Sequence, residues 1–246
     1  MTQPTQNKPE DAAWATDRPA RIGFRRFSTA EFLVALVLMF AVAPFVEKIP
    51  FGNSIETALM TLVLVLGVLA VGRSRRTLVW AAVLVVPAVT AKWLSHLGLL
   101  PKGVFFVFGM LFLIFVVVQF LRFILRAPRV NAEVLYAGMS VYLLLGMSWM
   151  FAYLFVAWWD PHSFAFSTGP AASQAMDGFT AYYFSFVTLT TVGYGDITPV
   201  SNGARALAAM EAMTGTLYVA VLISRLVALY SSQTQTAGAN DQTGVS

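Results

Sequence analysis

The stretch Thr188–Pro199 reads Thr-Leu-Thr-Thr-Val-Gly-Tyr-Gly-Asp-Ile-Thr-Pro, and it decides how the rest of this chain is interpreted. Within it, Gly193 and Gly195 alternate with Val192 and Tyr194. An ordinary strand alternates the direction of its carbonyls. Carbonyls that all point one way therefore require φ > 0 at intervals, which glycine adopts without a Cβ penalty. The plain alternative interpretation is a glycine-rich turn between two helices.

The composition indicates an integral membrane protein. Of the 246 residues, 58% are hydrophobic and 11% are charged, whereas a soluble globular domain carries about 25% charged residues. The chain has no cysteine, which excludes disulfides and thiolate metal sites. Its two histidines, His96 and His162, lie far apart in predicted loops. We predict an all-α membrane protein, and we attribute the net charge of +4 to membrane orientation rather than to nucleic-acid binding.

Six segments are apolar over about the 20 residues that a membrane crossing needs. Between the fifth and the sixth, residues 178–190 form an aromatic segment too short to cross, which is typical of a re-entrant helix. Such backbone is tolerated at membrane depth only when it is buried in protein or lines water. The six predicted spans are 30–47, 55–72, 77–92, 104–125, 133–159 and 202–228.

Two arginine clusters orient these spans. One lies at 73–76, before the third span, and the other lies at 122–129, after the fourth. Both should be cytoplasmic under the positive-inside rule, so the third span must cross despite Pro87. With the N-terminus inside, most basic residues are cytoplasmic, both termini are cytoplasmic, and the glycine-containing stretch faces the outer side.

The six residues 191–196, Thr-Val-Gly-Tyr-Gly-Asp, resemble the selectivity-filter signature of potassium channels. In those channels, the established account of this loop is that rings of backbone carbonyls replace the hydration shell of K⁺. Residues 133–228 also resemble the helix, pore loop and helix unit that potassium channels share. The chain is therefore similar to prokaryotic potassium channels, in a six-helix form without a charged voltage sensor.

The resemblance implies roles for the residues of the loop. The carbonyls of Thr191, Val192, Gly193 and Tyr194 would coordinate K⁺, and the Thr191 hydroxyl would add an inner site. The side chains of Val192 and Tyr194 would point into the wall, while Asp196 would concentrate cations at the outer mouth. The predicted filter comprises Thr191, Val192, Gly193, Tyr194 and Gly195.

Six further residues, Glu211 among them, are predicted to support the filter or the gate. Thr190 directly precedes the filter, and Tyr183 and Phe184 stand in the surrounding collar where the family has paired tryptophans. Arg205 occupies a position where simple bacterial channels of this family also carry arginine. Gly215 matches the glycine at which the inner helix of such channels bends, although close helix packing explains a glycine there equally well.

Glu211 is the most unusual of the support residues. The prototype bacterial channel carries an acid in its pore helix, seven positions before the filter tyrosine, and here that position holds Val187. A carboxylate inside a membrane helix is costly and usually paired or functional. We hypothesise that Glu211 substitutes for the missing acid by bonding Ser185, Thr188 or Arg205. An ion pair with Arg205 alone is the alternative.

The chain lacks the charges of a voltage sensor. Moving one charge through 100 mV supplies about 2.3 kcal/mol, so several charges are needed within the membrane. Residues 104–121 of the fourth span contain no basic residue. We therefore expect the first four helices to form a scaffold, or a lipid-facing or partner-binding unit.

These observations predict four regions in the chain. Residues 1–28 are expected to form a disordered cytoplasmic arm and 29–129 a four-helix transmembrane domain. Residues 130–230 are expected to form the pore module and 231–246 a disordered cytoplasmic tail. Residues 41–43 resemble a signal-peptidase site, but the polar region ahead of them is long for a signal peptide, so we favour an uncleaved first helix; the topology is the same in either case.

The predicted function is passive, potassium-selective conduction across the plasma (inner) membrane. Four chains would form a homotetramer, because one filter strand cannot encircle an ion. The expected partners are K⁺, three further copies of the chain and the lipid bilayer, without nucleic acid. No cofactor is expected. A non-conducting or modulatory subunit is one alternative. A membrane enzyme using Glu211, Arg205 and His162 is disfavoured, because no nucleophile–base spacing occurs.

Overall fold

The structure is a computed structural model, and it describes residues 29–46, 52–71, 75–167 and 175–243. Most of these residues are helical, which confirms the predicted helical character of the chain. The elements in chain order are α1 (Thr29–Val46), α2 (Gly52–Val71), α3 (Arg75–His96), α4 (Lys102–Arg126), α5 (Ala132–Trp159), β1 (Phe164–Phe166), α6 (Gly178–Leu189), β2 (Ile197–Pro199) and α7 (Asn202–Thr243).

Four of the described helices are long and apolar enough to cross a membrane, namely α3, α4, α5 and α7. Helices α1 and α2 carry shorter apolar stretches, Thr29–Val42 and Ala58–Leu69. The chain is thus a multi-pass helical membrane protein, and four of its six predicted spans have the length and composition of a crossing helix.

The junction between α4 and α5 follows from local sequence. Helix α4 ends at Arg126 because Pro128 disfavours helical backbone at the residue before it, and Ala127 is already extended with ψ 125°. The Asn131 side chain then accepts a 3.0 Å hydrogen bond from the Val134 amide and so caps the N-terminus of α5.

Proline does not divide the third helix. Pro87 lies inside α3, where it removes one backbone donor. The Thr90 hydroxyl donates to the carbonyls of Val86 at 2.8 Å and Pro87 at 3.1 Å, so the ladder around the proline keeps additional hydrogen bonds.

The hydrophobic core centres on the contact between α4 and α5. Phe112, Val116 and Phe120 follow each other at four-residue spacing on α4 and are buried, because such residues share one helix face. On α5, Leu144 and Phe151 are buried in the same core. Helix α4 also packs against α2 and α3 and so joins these two helices to α5, whereas α1 packs against α5 directly.

Helix α1 reaches the short helix α6 directly. The Phe40 ring stacks on the Tyr182 ring at a centroid distance of 4.8 Å and meets the Phe186 ring edge-on at 5.1 Å. The first part of the chain therefore braces α6 as well as α5.

A small antiparallel strand pair flanks α6, which the sequence did not predict. Phe164 pairs with Pro199, and Phe166 pairs with Ile197. The strands are three residues long, too short to produce a recognisable alternating pattern. Because β1 precedes α6 and β2 follows the glycine-containing stretch, the pair joins the two ends of the segment formed by α6 and that stretch.

Two predicted regions fall at the chain ends. The predicted arm, residues 1–28, lies outside the described residues. The prediction that residues 231–246 are disordered is wrong as far as Thr243, because α7 continues to that residue. No proline interrupts 202–243, and polar composition alone does not end a helix.

The contact of α1 with α6 can be tested by comparing two phenylalanines of the same helix. We expect Phe40→Ala to lower the stability of the full chain in mild detergent by about 1–3 kcal/mol, because it removes two aromatic pairs. Phe45→Ala is the matched control, since the Phe45 side chain is 74% exposed. Equal shifts in thermal unfolding for both variants would contradict this packing.

Candidate functional site

Helix α6 carries the chain into the glycine-containing stretch. The Asp177 side chain accepts a 2.9 Å hydrogen bond from the Thr180 amide and so caps the N-terminus of α6. With 12 residues, α6 is about 18 Å long, well short of the roughly 30 Å hydrocarbon core. Its carbonyl end, which carries partial negative charge, opens directly onto residues 190–196.

The backbone of this segment changes hand at every second residue. The φ angles are +59° at Thr191, +58° at Gly193 and +80° at Gly195. The prediction that the glycines adopt φ > 0 is confirmed. Thr191, the only non-glycine with φ > 0 among the described residues, was not predicted to do so. A β-branched residue there costs about 1–3 kcal/mol and persists only when its surroundings hold it.

The surroundings hold this segment through its amides. The Thr191 amide donates to the Thr188 carbonyl at 2.9 Å, and the Val192 and Gly193 amides donate to the Val187 carbonyl at 2.9 and 3.3 Å. The N–H groups at the start of the segment are thus committed to the last turn of α6.

The carbonyls of residues 191–194, unlike these amides, are not hydrogen-bonded to the described residues. None of them accepts a hydrogen bond from any residue that the structure describes, and all four residues are exposed in the single chain. Backbone carbonyls are strong acceptors that take a partner from protein, water or ions. A row of oxygens fixed from behind and open in front is suited to binding a cation.

The side chains of Tyr194 and Val192 have few packing partners within their own chain. The Tyr194 ring lies parallel to the Tyr183 ring with a centroid distance of 6.4 Å, yet its side chain is 71% exposed. The Val192 side chain is 53% exposed. The described part of one chain therefore supplies only part of the wall predicted for these residues.

Asp196 is tied to the collar. One carboxylate oxygen accepts a 2.8 Å hydrogen bond from the Tyr183 hydroxyl, and the other accepts a 3.1 Å bond from the Ile197 amide. The Asp196 carbonyl accepts a 2.8 Å bond from the Ser167 amide. The residue predicted to stand at the outer mouth thus also fastens the far end of the segment to α6.

Phe184 and Thr190 occupy different environments. The Phe184 ring is buried and meets the rings of Tyr153 and Phe164 edge-on, at 4.8 and 5.5 Å. Thr190 is exposed, and its hydroxyl donates to the Phe186 carbonyl at 2.6 Å. Phe184 belongs to the packing behind α6, whereas Thr190 closes the last turn of that helix.

Glu211 lies behind α6 and is completely buried. One carboxyl oxygen accepts a hydrogen bond from the Tyr153 hydroxyl, and the other lies 2.5 Å from the Ser185 hydroxyl oxygen, within hydrogen-bond distance. The alternative ion pair is wrong, because Arg205 donates through Nε to the Pro199 carbonyl at 3.2 Å and so anchors β2. Tyr153 was missed, because it lies 58 residues away from Glu211 and no local pattern links them.

Gly215 marks the closest approach of α7 to α6. A Cβ atom at this position would overlap the Leu189 carbonyl oxygen, at the C-terminal end of α6. Helix α7 is continuous through this glycine. The geometry favours the close-packing interpretation of Gly215 over the hinge interpretation.

Residues 133–232 match the family model described as "Ion channel". Several plant proteins share shorter stretches. The chain is 40% identical over 58 residues to Two pore potassium channel b of Oryza sativa subsp. japonica, which covers 24% of this chain and 16% of that protein. It is 49% identical over 45 residues to Two-pore potassium channel 1 of Arabidopsis thaliana, covering 18% and 12%.

A third relative, Two-pore potassium channel 4 of Arabidopsis thaliana, is 43% identical over 47 residues, covering 19% of this chain and 16% of that protein. The matches thus span about a sixth or less of the length of these relatives. No solved structure matches this chain.

The packing at Gly215 predicts a sharp difference between two glycines of α7. Gly215→Ala should destabilise the folded chain by about 1–3 kcal/mol, the range for overpacking, because the new methyl meets backbone. Gly203→Ala is the control, since nothing lies within 4 Å of a Cβ there. Thermal unfolding in detergent separates the two, and a neutral Gly215→Ala would contradict the close approach.

The Tyr183–Asp196 bond predicts a local effect on the segment. Tyr183→Phe should raise amide hydrogen exchange in peptides covering 188–199, because a hydrogen bond to a charged group, about 1.5–3 kcal/mol at most, is lost. Tyr182→Phe is the matched control, because the Tyr182 hydroxyl makes no hydrogen bond to the described residues. Unchanged exchange in Tyr183→Phe would show that Asp196 is held by other contacts.

Proposed function

We propose that this chain is the subunit of a potassium-selective channel that conducts K⁺ passively across the plasma membrane. The observation that carries the proposal is the row of four exposed carbonyls at 191–194, unpartnered within the described chain and anchored through the amides behind it. The family match over residues 133–232 and the potassium channel names of the relatives support K⁺ as the permeant ion.

The proposed mechanism is replacement of water by backbone oxygen. A K⁺ ion sheds its hydration shell, and the carbonyls of Thr191, Val192, Gly193 and Tyr194 take the place of the lost water. The alternating φ angles bring successive carbonyls to one side, and the hydrogen bonds to Val187 and Thr188 restrain them there. Because several similar sites follow one another, an ion can move on to the next site.

A homotetramer completes this arrangement. One strand presents carbonyls on one side of an ion, so further copies must supply the rest of each ring. The exposed Val192 and Tyr194 side chains support this, because neighbouring copies would bury them. Helix α7 also leaves a set of large apolar side chains exposed in the single chain, namely Met210, Met213, Leu217 and Val221.

Six membrane crossings fit the proposed function. Helix α1 has 18 residues and α2 has 20, which gives lengths of about 27 and 30 Å, close to the hydrocarbon thickness. With α6 as a re-entrant pore helix, both termini are cytoplasmic and the filter opens outward. Arg122 and Arg126 then lie at the cytoplasmic end of α4, where positive charge is favoured.

The first four helices act as a scaffold in this proposal. Phe40 of α1 contacts the pore helix, and Arg225 near the inner end of α7 donates to the Leu125 carbonyl of α4 at 3.0 Å. The scaffold therefore contacts the conduction module at the pore helix and at its cytoplasmic end, in addition to its packing along α5. Within the module, Asp196 and Tyr183 hold the filter, Arg205 anchors β2, and Gly215 permits the close approach of α7.

Ion flux in liposomes tests the function. Purified protein should pass K⁺ down a gradient, exclude Na⁺ and be blocked by barium, and Gly193→Ala should abolish the flux. Alanine at φ +58° costs about 1–2 kcal/mol and disturbs the alternation that aligns the carbonyls.

Gly98→Ala is the matched control for this experiment. Gly98 also has positive φ, +75°, with nothing within 4 Å of a Cβ, but it lies between α3 and α4. The Gly98→Ala variant should carry the same backbone penalty as Gly193→Ala and should still conduct K⁺. Flux of Na⁺ equal to that of K⁺ would contradict selectivity. A folded tetramer without flux, under varied voltage, pH and lipid, would favour the non-conducting subunit.

A further inference from the structure

The hydroxyl of Ser185 takes part in two short contacts but carries one hydrogen. Its oxygen lies 2.7 Å from the Gly146 carbonyl oxygen and 2.5 Å from a carboxyl oxygen of Glu211. A carbonyl oxygen cannot donate, so the bond to Gly146 takes the serine hydrogen. The contact with Glu211 then needs a second hydrogen, which only Glu211 can supply.

The other oxygen of Glu211 is satisfied by the Tyr153 hydroxyl. With the proton on Glu211, every group has a partner: Tyr153 donates to Glu211, Glu211 donates to Ser185, and Ser185 donates to Gly146. With Glu211 ionised, Ser185 must donate to it, and the Gly146 carbonyl faces serine lone pairs at 2.7 Å. The number of available hydrogens therefore favours protonated Glu211 over ionised Glu211, because only the protonated form makes each of these contacts a hydrogen bond.

The surroundings of Glu211 also favour the protonated, neutral form of its carboxyl group. Its side chain is fully buried within a membrane helix, and no described Lys or Arg side chain pairs with it. An isolated buried carboxylate is strongly disfavoured without a cation. The ionisable groups facing it are Tyr153 and Tyr142 on α5, and Arg205 on its own helix donates elsewhere. Because Glu211 is inaccessible in the single chain, no neighbouring copy can reach it.

We propose that Glu211 is a neutral carboxylic acid whose proton completes a one-directional hydrogen-bond relay from Tyr153 through Ser185 to the Gly146 carbonyl. The relay begins and ends on α5 and passes through α7 and α6. Ser185 lies one turn before the end of α6, and Glu211 lies one turn before Gly215, where α7 meets that end. Glu211 is thus a positioning residue for the back of the filter, and loss of its proton releases α6 from α5.

The first test is the protonation state, which does not depend on conduction. Infrared spectra of the full chain at neutral pH should contain the carbonyl stretch of a buried protonated carboxylic acid, and Glu211→Gln should lack that band. Glutamine keeps one donor and one acceptor without charge, so its stability at neutral pH should match that of the unaltered chain, whereas Glu211→Leu should unfold at a lower temperature.

The pH profile provides a second readout. The folded chain holds a proton that the unfolded chain releases at neutral pH, so stability falls as pH rises, by up to tenfold in the unfolding equilibrium per pH unit for each Glu211. Glu211→Gln should remove this contribution. Ser185→Ala should destabilise the fold. Ser148→Ala is the control, because among the described residues the buried Ser148 hydroxyl bonds only the Leu144 carbonyl of its own helix.

Absence of the infrared band, or a Glu211→Gln variant as unstable as Glu211→Leu, would overturn the proposal. The effect on the filter rests on the proposed function: alkaline pH should speed the decay of K⁺ flux in the unaltered chain and leave Glu211→Gln unaffected. If the unaltered chain passes no K⁺ while the band and pH profile appear as expected, the proposed function fails and the neutral relay stands.

Discussion

The positive φ angles of Thr191, Gly193 and Gly195, at every second residue of this segment, are the constraint on which the rest of the structure depends. Unsupported backbone does not keep this geometry, because one of the residues with φ > 0 is Thr191, a β-branched side chain. The hydrogen bonds of the segment to Val187 and Thr188 supply the support. The geometry of the segment therefore depends on α6 being held in place.

Helix α6 is held from several directions by residues distant in sequence. Phe40 of α1 packs on its aromatic face, Ser185 binds the Gly146 carbonyl of α5, and Gly215 of α7 admits the end of the helix at backbone contact. The pairing of β1 with β2 joins the chain before α6 to the chain after the glycine-containing stretch. A short helix that cannot cross the membrane thus obtains its position from tertiary contacts.

Sequence reasoning located the helices well because membrane helices need long apolar runs and their caps are local. Asn131 and Asp177, each next to the helix it caps, are examples of such local signals. The extension of α7 to Thr243 was missed, because the polar composition was interpreted as disorder. The strand pair was missed as well, because three-residue strands carry no detectable period and β1 and β2 meet across the whole of α6.

By itself, the sequence determined the membrane character, the helical segments and the stretch that carries positive φ, because these depend on composition, apolar length and the freedom of glycine. The tertiary structure alone decided the partners of Glu211: sequence proximity suggested Arg205, whereas folding brought Tyr153 from another helix and turned Arg205 toward Pro199. A hydrogen-bond partner is selected by three-dimensional approach within about 3 Å, and separation along the chain does not encode that distance.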